Sequence, residues 1–239
     1  NDMKADIKLS KRLKMVASFI SEGTFFADIG SDHAYLPCYI CLKDEKARAI
    51  AGEVREGPYH RAEETVAAYQ LSDKVEVRLG DGLQIINSDE GVKELVVAGM
   101  GGGLISQIIE SGKEKLTTID RLVLQPNNSA HNVRKLLLNL GYSLTHEKIL
   151  EDNNHIYEIL VADKINNEPF LWNNVEVEKQ LLFGPYLMEE KSPVFLKKWK
   201  IEREKLMKVI HQMKNAKHID YEKLAYYETQ LKWMEEILT

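Results

Sequence analysis

The chain is poor in the residues that staple or reshape a backbone: among 239 residues there are two cysteines, six prolines and three tryptophans. A disulfide scaffold is excluded, because such scaffolds need several cysteine pairs to make up for a small core. Cys38 and Cys41 form one C-x-x-C pair, for which a redox role at a helix start and a metal role have to be weighed. Their neighbours Tyr35, Leu36, Tyr39, Ile40 and Leu42 are apolar, and neither a second cysteine pair nor a spaced histidine pair completes a zinc set. Two buried small side chains on a core helix are therefore expected, and no metal. No window approaches the roughly 20 uninterrupted apolar residues of a membrane span, and the amino terminus lacks the apolar core of a signal peptide. The expectation is a cytoplasmic protein with no membrane partner.

What is present describes an ordinary globular chain. With 44% hydrophobic and 29% charged residues it can bury one substantial core and a small appended unit. Its charge is unevenly spread. Between Lys191 and Lys217 nine basic residues stand against Glu202 and Glu204, a net of +7 in a chain whose net is −5, so the remainder carries −12. An acidic body with one basic segment suits a polyanion gripped at a defined place, although a solvated helix face would read similarly.

Periodicity divides the chain in two. Leu9, Leu13, Val16, Ala17 and Ile20 share a helical face over residues 7–20, with a stop near Gly23. Apolar runs at 25–29, 47–52, 75–79, 95–98 and 122–125 then alternate with helical stretches at 58–71, 83–92, 104–109 and 130–140. Such alternation predicts a parallel sheet covered on both faces. Segments 142–149 and 156–162, separated by Glu151-Asp152-Asn153-Asn154-His155, predict a closing hairpin. Beyond Ser192-Pro193, a helix cap and first-turn proline, Leu196, Trp199, Arg203, Leu206, Ile210 and Met213 recur at helical spacing. Leu224, Tyr227, Leu231, Met234 and Leu238 repeat the pattern after Asp220, which predicts a helical hairpin or antiparallel coiled coil. The expected domains are 1–165 and 166–239, and a monomer is expected.

Acidic and glycine residues fall where successive strands should end, the rim at which open sheets bind ligands. Asp28-Ile29-Gly30 ends the first, Gly52-Glu53 the second, Gly80-Asp81-Gly82 the third, and Ala98-Gly99-Met100-Gly101-Gly102-Gly103 the fourth. A carboxylate two positions before the first glycine would repel a pyrophosphate, which favours a cationic, hydroxyl-rich ligand, S-adenosylmethionine. Glu53 is placed to accept the ribose hydroxyls and Asp81 an adenine amino group. The dinucleotide fingerprint fails, because Leu104 stands where its last glycine belongs and the motif follows the fourth strand.

The run Ala27-Asp28-Ile29-Gly30-Ser31-Asp32-His33-Ala34-Tyr35-Leu36-Pro37, with Ala51-Gly52-Glu53, Gly80-Asp81-Gly82, Ala98-Gly99-Met100-Gly101-Gly102 and Gln125-Pro126-Asn127, resembles the TrmK family. The likeness extends from Leu9-Ser10-Lys11-Arg12-Leu13 to Phe195-Leu196-Lys197-Lys198-Trp199. These are bacterial tRNA methyltransferases acting on N1 of adenine 22 in the D arm. The resemblance implies a Rossmann-like class I methyltransferase domain followed by a coiled-coil tail, with tRNA as partner and S-adenosylmethionine as cofactor. Against the general pattern D-x-G-x-G-x-G, Asp32 and Ala34 replace two glycines.

On that reading the cofactor contacts are Arg12, Asp28, Ile29, Gly30, Ser31, His33, Glu53, Val54, Asp81, Gly82, Ala98, Gly99, Met100 and Gly101. Adenine N1 already carries a lone pair, so the reaction needs positioning and exclusion of water, not a base. Asp32, Met100 and Asn127 are the candidates for the catalytic face, Asp32 stabilising the charge that develops on the ring. Gln125 and Asn128 are expected at the base edge and Tyr35 or Tyr157 as a stacking surface. Asp32 could equally cap the following helix, as Asn127 or Asn128 could the next. Lys197, Lys198, Lys200, Arg203 and Lys205 are the expected phosphate contacts. A methyltransferase for a small molecule or protein, and a non-catalytic cofactor-binding regulator, are the alternatives.

Overall fold

Apolar runs that stop at a glycine or an acid become strands, and their composition decides how they are covered. A computed structural model describes residues 6–164 and 172–239; the expected boundary at 165/166 lies outside the described residues. The chain divides into two compact units, Asn1–Trp172 and Asn173–Thr239.

In the first unit β1 (Phe25–Ile29), β2 (Arg48–Glu53), β3 (Val75–Leu79), β4 (Glu94–Met100) and β5 (Arg121–Pro126) run parallel. Phe26, Ala27, Ile50, Ala51, Val96, Val97, Val123 and Leu124 are all fully buried, because a central parallel strand is covered on both faces. The covering helices are α1 (Lys11–Ser18), α2 (Tyr35–Lys43), α3 (Glu56–Ala68), α4 (Gly102–Ser111) and α5 (Ala130–Leu140). α1 begins later than its periodicity predicts, because the Ser10 hydroxyl accepts the Leu13 N–H at 3.2 Å and caps it there. Only Gly82–Ile85, a single 3-10 turn, is helical in the expected stretch 83–92.

The hairpin pairs β6 (Ser143–Asp152) with β7 (His155–Asp163), and β7 runs antiparallel to β5. Its loop shrinks to Asn153 and Asn154, at φ +50° and +63°, a turn that suits asparagine. The sheet order is β3-β2-β1-β4-β5-β7-β6, so the direction of winding reverses between β1 and β4. That switch point opens a crevice at the carboxyl ends of both strands.

Behind the hairpin the Arg134 side chain is fully buried between Glu147 and Glu158, with N···O distances of 2.7 Å to each. It ties α5 to both strands.

The second unit contains α6 (Val177–Phe183), α7 (Pro185–Glu190), α8 (Pro193–Lys214) and α9 (Tyr221–Ile237). Ser192 accepts the Phe195 N–H at 3.3 Å and Asp220 the Lys223 N–H at 3.1 Å, which starts α8 and α9 where the sequence signals predict. α8 and α9 pack together, and the Phe183, Phe195 and Trp199 rings meet edge to face. The short helices α6 and α7 are not foreseen in the sequence, because neither is long enough to show a period. No helix among the described residues is long and apolar enough to cross a membrane.

Candidate active site

The crevice is built from four strand ends. At the end of β1 Asp28 is buried, and the Ser31 hydroxyl donates to its Oδ2 at 2.8 Å. Burial pushes its carboxyl from 3.8 up to about 7, against the Ser31 hydrogen bond and the Arg12 charge. Such a group favours folding least where it must ionise. Between about pH 4 and 7 the unfolded chain releases a proton that the folded chain keeps, so stability falls as pH rises and levels off above about 7. Asp28→Asn should therefore gain on the parent by up to about 1.4 kcal/mol per pH unit across that window. Urea midpoints for both proteins at several pH values check this; a constant difference would contradict it.

After Gly30 (φ +68°) the chain continues through Asp32, His33 and Ala34 at φ +49°, +64° and +56°. α2 has no side-chain cap, so Asp32 is not its capping residue. Its side chain is 90% exposed, with Oδ1 3.6 Å from His33 Nε2, and the His33 ring stacks on exposed Tyr35 at 5.3 Å. The Asp32 N–H donates to Glu53 Oε1 at 2.7 Å. Burial raises the Glu53 carboxyl, and that same hydrogen bond acts against the rise.

β2 and β3 end side by side, the Gly80 N–H donating to Glu53 O at 2.8 Å. Val54 follows Glu53 and is 62% exposed. Asp81 stands exposed at the head of the 3-10 turn and does not cap it. The loop behind it is pinned by Arg78, which donates to Ile85 O at 2.8 Å and to both Glu90 oxygens at 2.6 and 2.8 Å.

β4 slips register between Ala98 and Met100, and the bulged residue, Gly99, takes φ +79°. Its N–H donates to Gln125 Oε1 at 3.0 Å. Gln125 is fully buried; the same oxygen accepts Arg12 Nη1 at 2.5 Å, and its amide donates to Asn127 Oδ1 at 3.1 Å. Its side chain lies behind the rim, joined to it through Gly99, Arg12 and Asn127. The Asn127 N–H in turn donates to Met100 O at 2.7 Å, and Asn128 accepts the Gly102 N–H through both its backbone oxygen and Oδ1. Neither asparagine caps α5, whose cap position is Ser129. Met100 Cε lies where a side chain on Gly30 would begin, so the ends of β1 and β4 touch.

Arg12 is held at three points: its N–H by Asp152 Oδ2 at 3.2 Å, its guanidinium by Gln125 and over the Tyr157 ring at 5.5 Å. Gln125 is a neutral partner, so it orients Arg12 without cancelling its charge. Asp152, Arg78 and Glu90 escape sequence reasoning, because nothing in their spacing marks them. Asp28, Glu53 and Met100 stand at the ends of β1, β2 and β4, and Asp81 and Asn127 just beyond β3 and β5.

Cys38 and Cys41 are buried free thiols pushed up to about 12 by burial, too high to supply a thiolate. In the second unit Lys197, Lys200 and Lys205 are exposed along α8. Lys198 lies over the Trp199 ring at 4.9 Å, Lys205 pairs with Glu202 at 3.6 Å, and half-buried Arg203 lies 3.8 Å from Glu204.

This sheet order, with an acid closing each of β1 and β2 and another just beyond β3, defines a class I, Rossmann-like methyltransferase. The sequence model of the TrmK family, tRNA (adenine(22)-N(1))-methyltransferase, matches residues 26–236, and the chain belongs to that family. A curated relative from Bacillus subtilis, tRNA (adenine(22)-N(1))-methyltransferase, is 43% identical over 211 residues, 88% of each chain. The crystal structure of the B. subtilis tRNA methyltransferase TrmK is similar with a TM-score of 0.91 at 40% identity, covering 98% of this chain and 100% of that one. A Streptococcus pneumoniae protein solved in complex with S-adenosyl-L-methionine has a TM-score of 0.83 at 39% identity, covering 97% and 100%.

Proposed function

We propose that this chain transfers the methyl group of S-adenosylmethionine to N1 of adenine 22 in tRNA. The observation that carries the reading is the row of acids at adjacent strand ends, Asp28, Glu53 and Asp81, beside the Gly99 bulge in a chain of this family. Glu53 accepts the ribose hydroxyls, Asp81 the adenine amino group, and exposed Val54 lies against the adenine face. Arg12, whose charge is left uncompensated by Gln125, takes the cofactor carboxylate. Ile29, Gly30, Ser31, His33, Gly82, Ala98 and Gly101 supply backbone and close approach.

The methyl group moves in one step. The N1 lone pair forms the new C–N bond as the sulfonium C–S bond breaks, leaving a neutral thioether and a cationic ring. No proton has to leave first, so positioning carries the reaction. Asp32 stabilises the charge on the ring, Met100 and Asn127 border the reacting atoms, and Tyr35 offers a flat surface for the base. Gln125 and Asn128 act behind them, through Asn127 and the start of α4. Tyr157, with Arg12 over one face, borders the acceptor side.

The second unit supplies the RNA contacts. Lys197, Lys198, Lys200, Arg203 and Lys205 all lie on α8, and a concentration of cations on one helix suits a phosphate backbone. The working form is a monomer and the place of action the cytoplasm. Lys197→Glu with Lys200→Glu is expected to weaken tRNA binding and to lower the slope of log affinity against log salt by about 1 for each phosphate that is no longer neutralised. Filter binding over a salt series measures this. An unchanged slope would favour the alternative, a methyltransferase whose tail serves a protein partner.

A further inference from the structure

Asp32, His33 and Ala34 are three consecutive non-glycine residues with φ of +49°, +64° and +56°. Each carries a steric cost in that region, so such a run persists only where surrounding contacts over-determine it. The contacts come from β2. The Gly30 and Ser31 N–H groups both donate to Gly52 O, at 3.0 and 3.1 Å, and the Asp32 N–H donates to Glu53 Oε1 at 2.7 Å. The helix that follows gives no side-chain help, since α2 starts uncapped at Ala34. Glu53 is buried, whereas the Asp32 side chain is 90% exposed.

We propose that Glu53 is a positioning residue for methyl transfer as well as a cofactor contact: its Oε1 holds the left-handed loop that presents Asp32, leaving Oε2 for the ribose. The inference rests on the function proposed above and adds a second task for this carboxylate. A group that only bound the cofactor would change affinity and leave the saturated rate alone, whereas one that also aims Asp32 must change the rate at saturation.

The test compares single-turnover tRNA methylation at saturating S-adenosylmethionine for the parent, Glu53→Ala and Glu53→Gln, with cofactor affinity measured separately by calorimetry. Glutamine keeps an oxygen for the Asp32 N–H, and alanine keeps none. The saturated rate is expected to fall about 20-fold or more in Glu53→Ala and to return to within about threefold of the parent in Glu53→Gln, while both bind cofactor more weakly. A Glu53→Ala rate within about twofold of the parent, or equal losses in the two variants, overturns the proposal. Amide exchange on the unsubstituted protein is the second readout, independent of whether a variant folds. The Asp32 N–H should exchange about 100-fold more slowly than a free amide, and exchange at the free rate overturns the proposal. That readout uses no tRNA, so a parent that methylates no adenine counts against the proposed function, and an unprotected Asp32 amide counts against the role of Glu53.

Discussion

Arg134→Met is expected to destabilise the protein by about 3–5 kcal/mol, the largest loss foreseen for a residue outside the site. The Arg134 side chain is fully enclosed, and its guanidinium lies 2.7 Å from carboxylates on β6 and β7. Methionine fills similar volume but leaves Glu147 and Glu158 buried without that cation, and an uncompensated buried charge is what makes breaking such a group costly. Replacing the whole group should cost far less. Arg134→Met with Glu147→Gln and Glu158→Gln is expected to recover at least about half of the loss. Urea denaturation of the parent, the single and the triple variant measures both steps. A single variant within about 1 kcal/mol of the parent would contradict the reading of this group as a buried clamp. The consequence for function is indirect: β7 pairs with β5, Leu124 opposite Leu160, and β5 leads on to exposed Asn127 at the rim.

Asp32→Ala is expected to lower the single-turnover methylation rate by about 100-fold at saturating tRNA and cofactor, the scale of losing one group aimed at developing charge. The cationic ring forms only as the methyl group moves, so a carboxylate beside it favours the transition state over the ground state. Asp32 is free for that work. It does not cap α2, its side chain is almost wholly exposed, and its backbone is held in the left-handed region by contacts from β2. Asparagine suits this left-handed backbone as aspartate does and removes only the charge, so Asp32→Asn should show the same loss of rate with little change in stability. A rate within about twofold of the parent would remove Asp32 from the mechanism.

Much of this architecture is legible in the sequence, and the reasons are physical. The parallel strands show themselves because both faces are covered, leaving unbroken apolar runs such as Leu95 to Val97. The ends of the first four show themselves because an acid or glycine stops each run. Asp28, Glu53 and Asp81 could therefore be found by order and spacing alone. What spacing does not carry is direction. The amide of Gln125 lies inward, joining Arg12 to the Gly99 bulge, and only the folded register of β4 against β5 reveals that. Asp32 is similar: a cap and an exposed acid read alike in sequence, and the left-handed run that separates them is a property of the loop as a whole. The buried cation on α5 gives no warning either. In sequence Arg134 reads as one charged residue on an amphipathic helix, and its partners lie 13 and 24 residues away on other elements.

The central claim is that the rim of this sheet methylates N1 of adenine 22 in tRNA. Unmodified tRNA is incubated with the protein and S-adenosylmethionine labelled on the methyl group, and the modified position is located by the stop it imposes on reverse transcription. Methylation at N1 blocks the pairing edge, so the account predicts label in the tRNA and one new stop at adenine 22, absent when cofactor is withheld. Label on a pyrimidine, a stop at another adenine, or no label would contradict it.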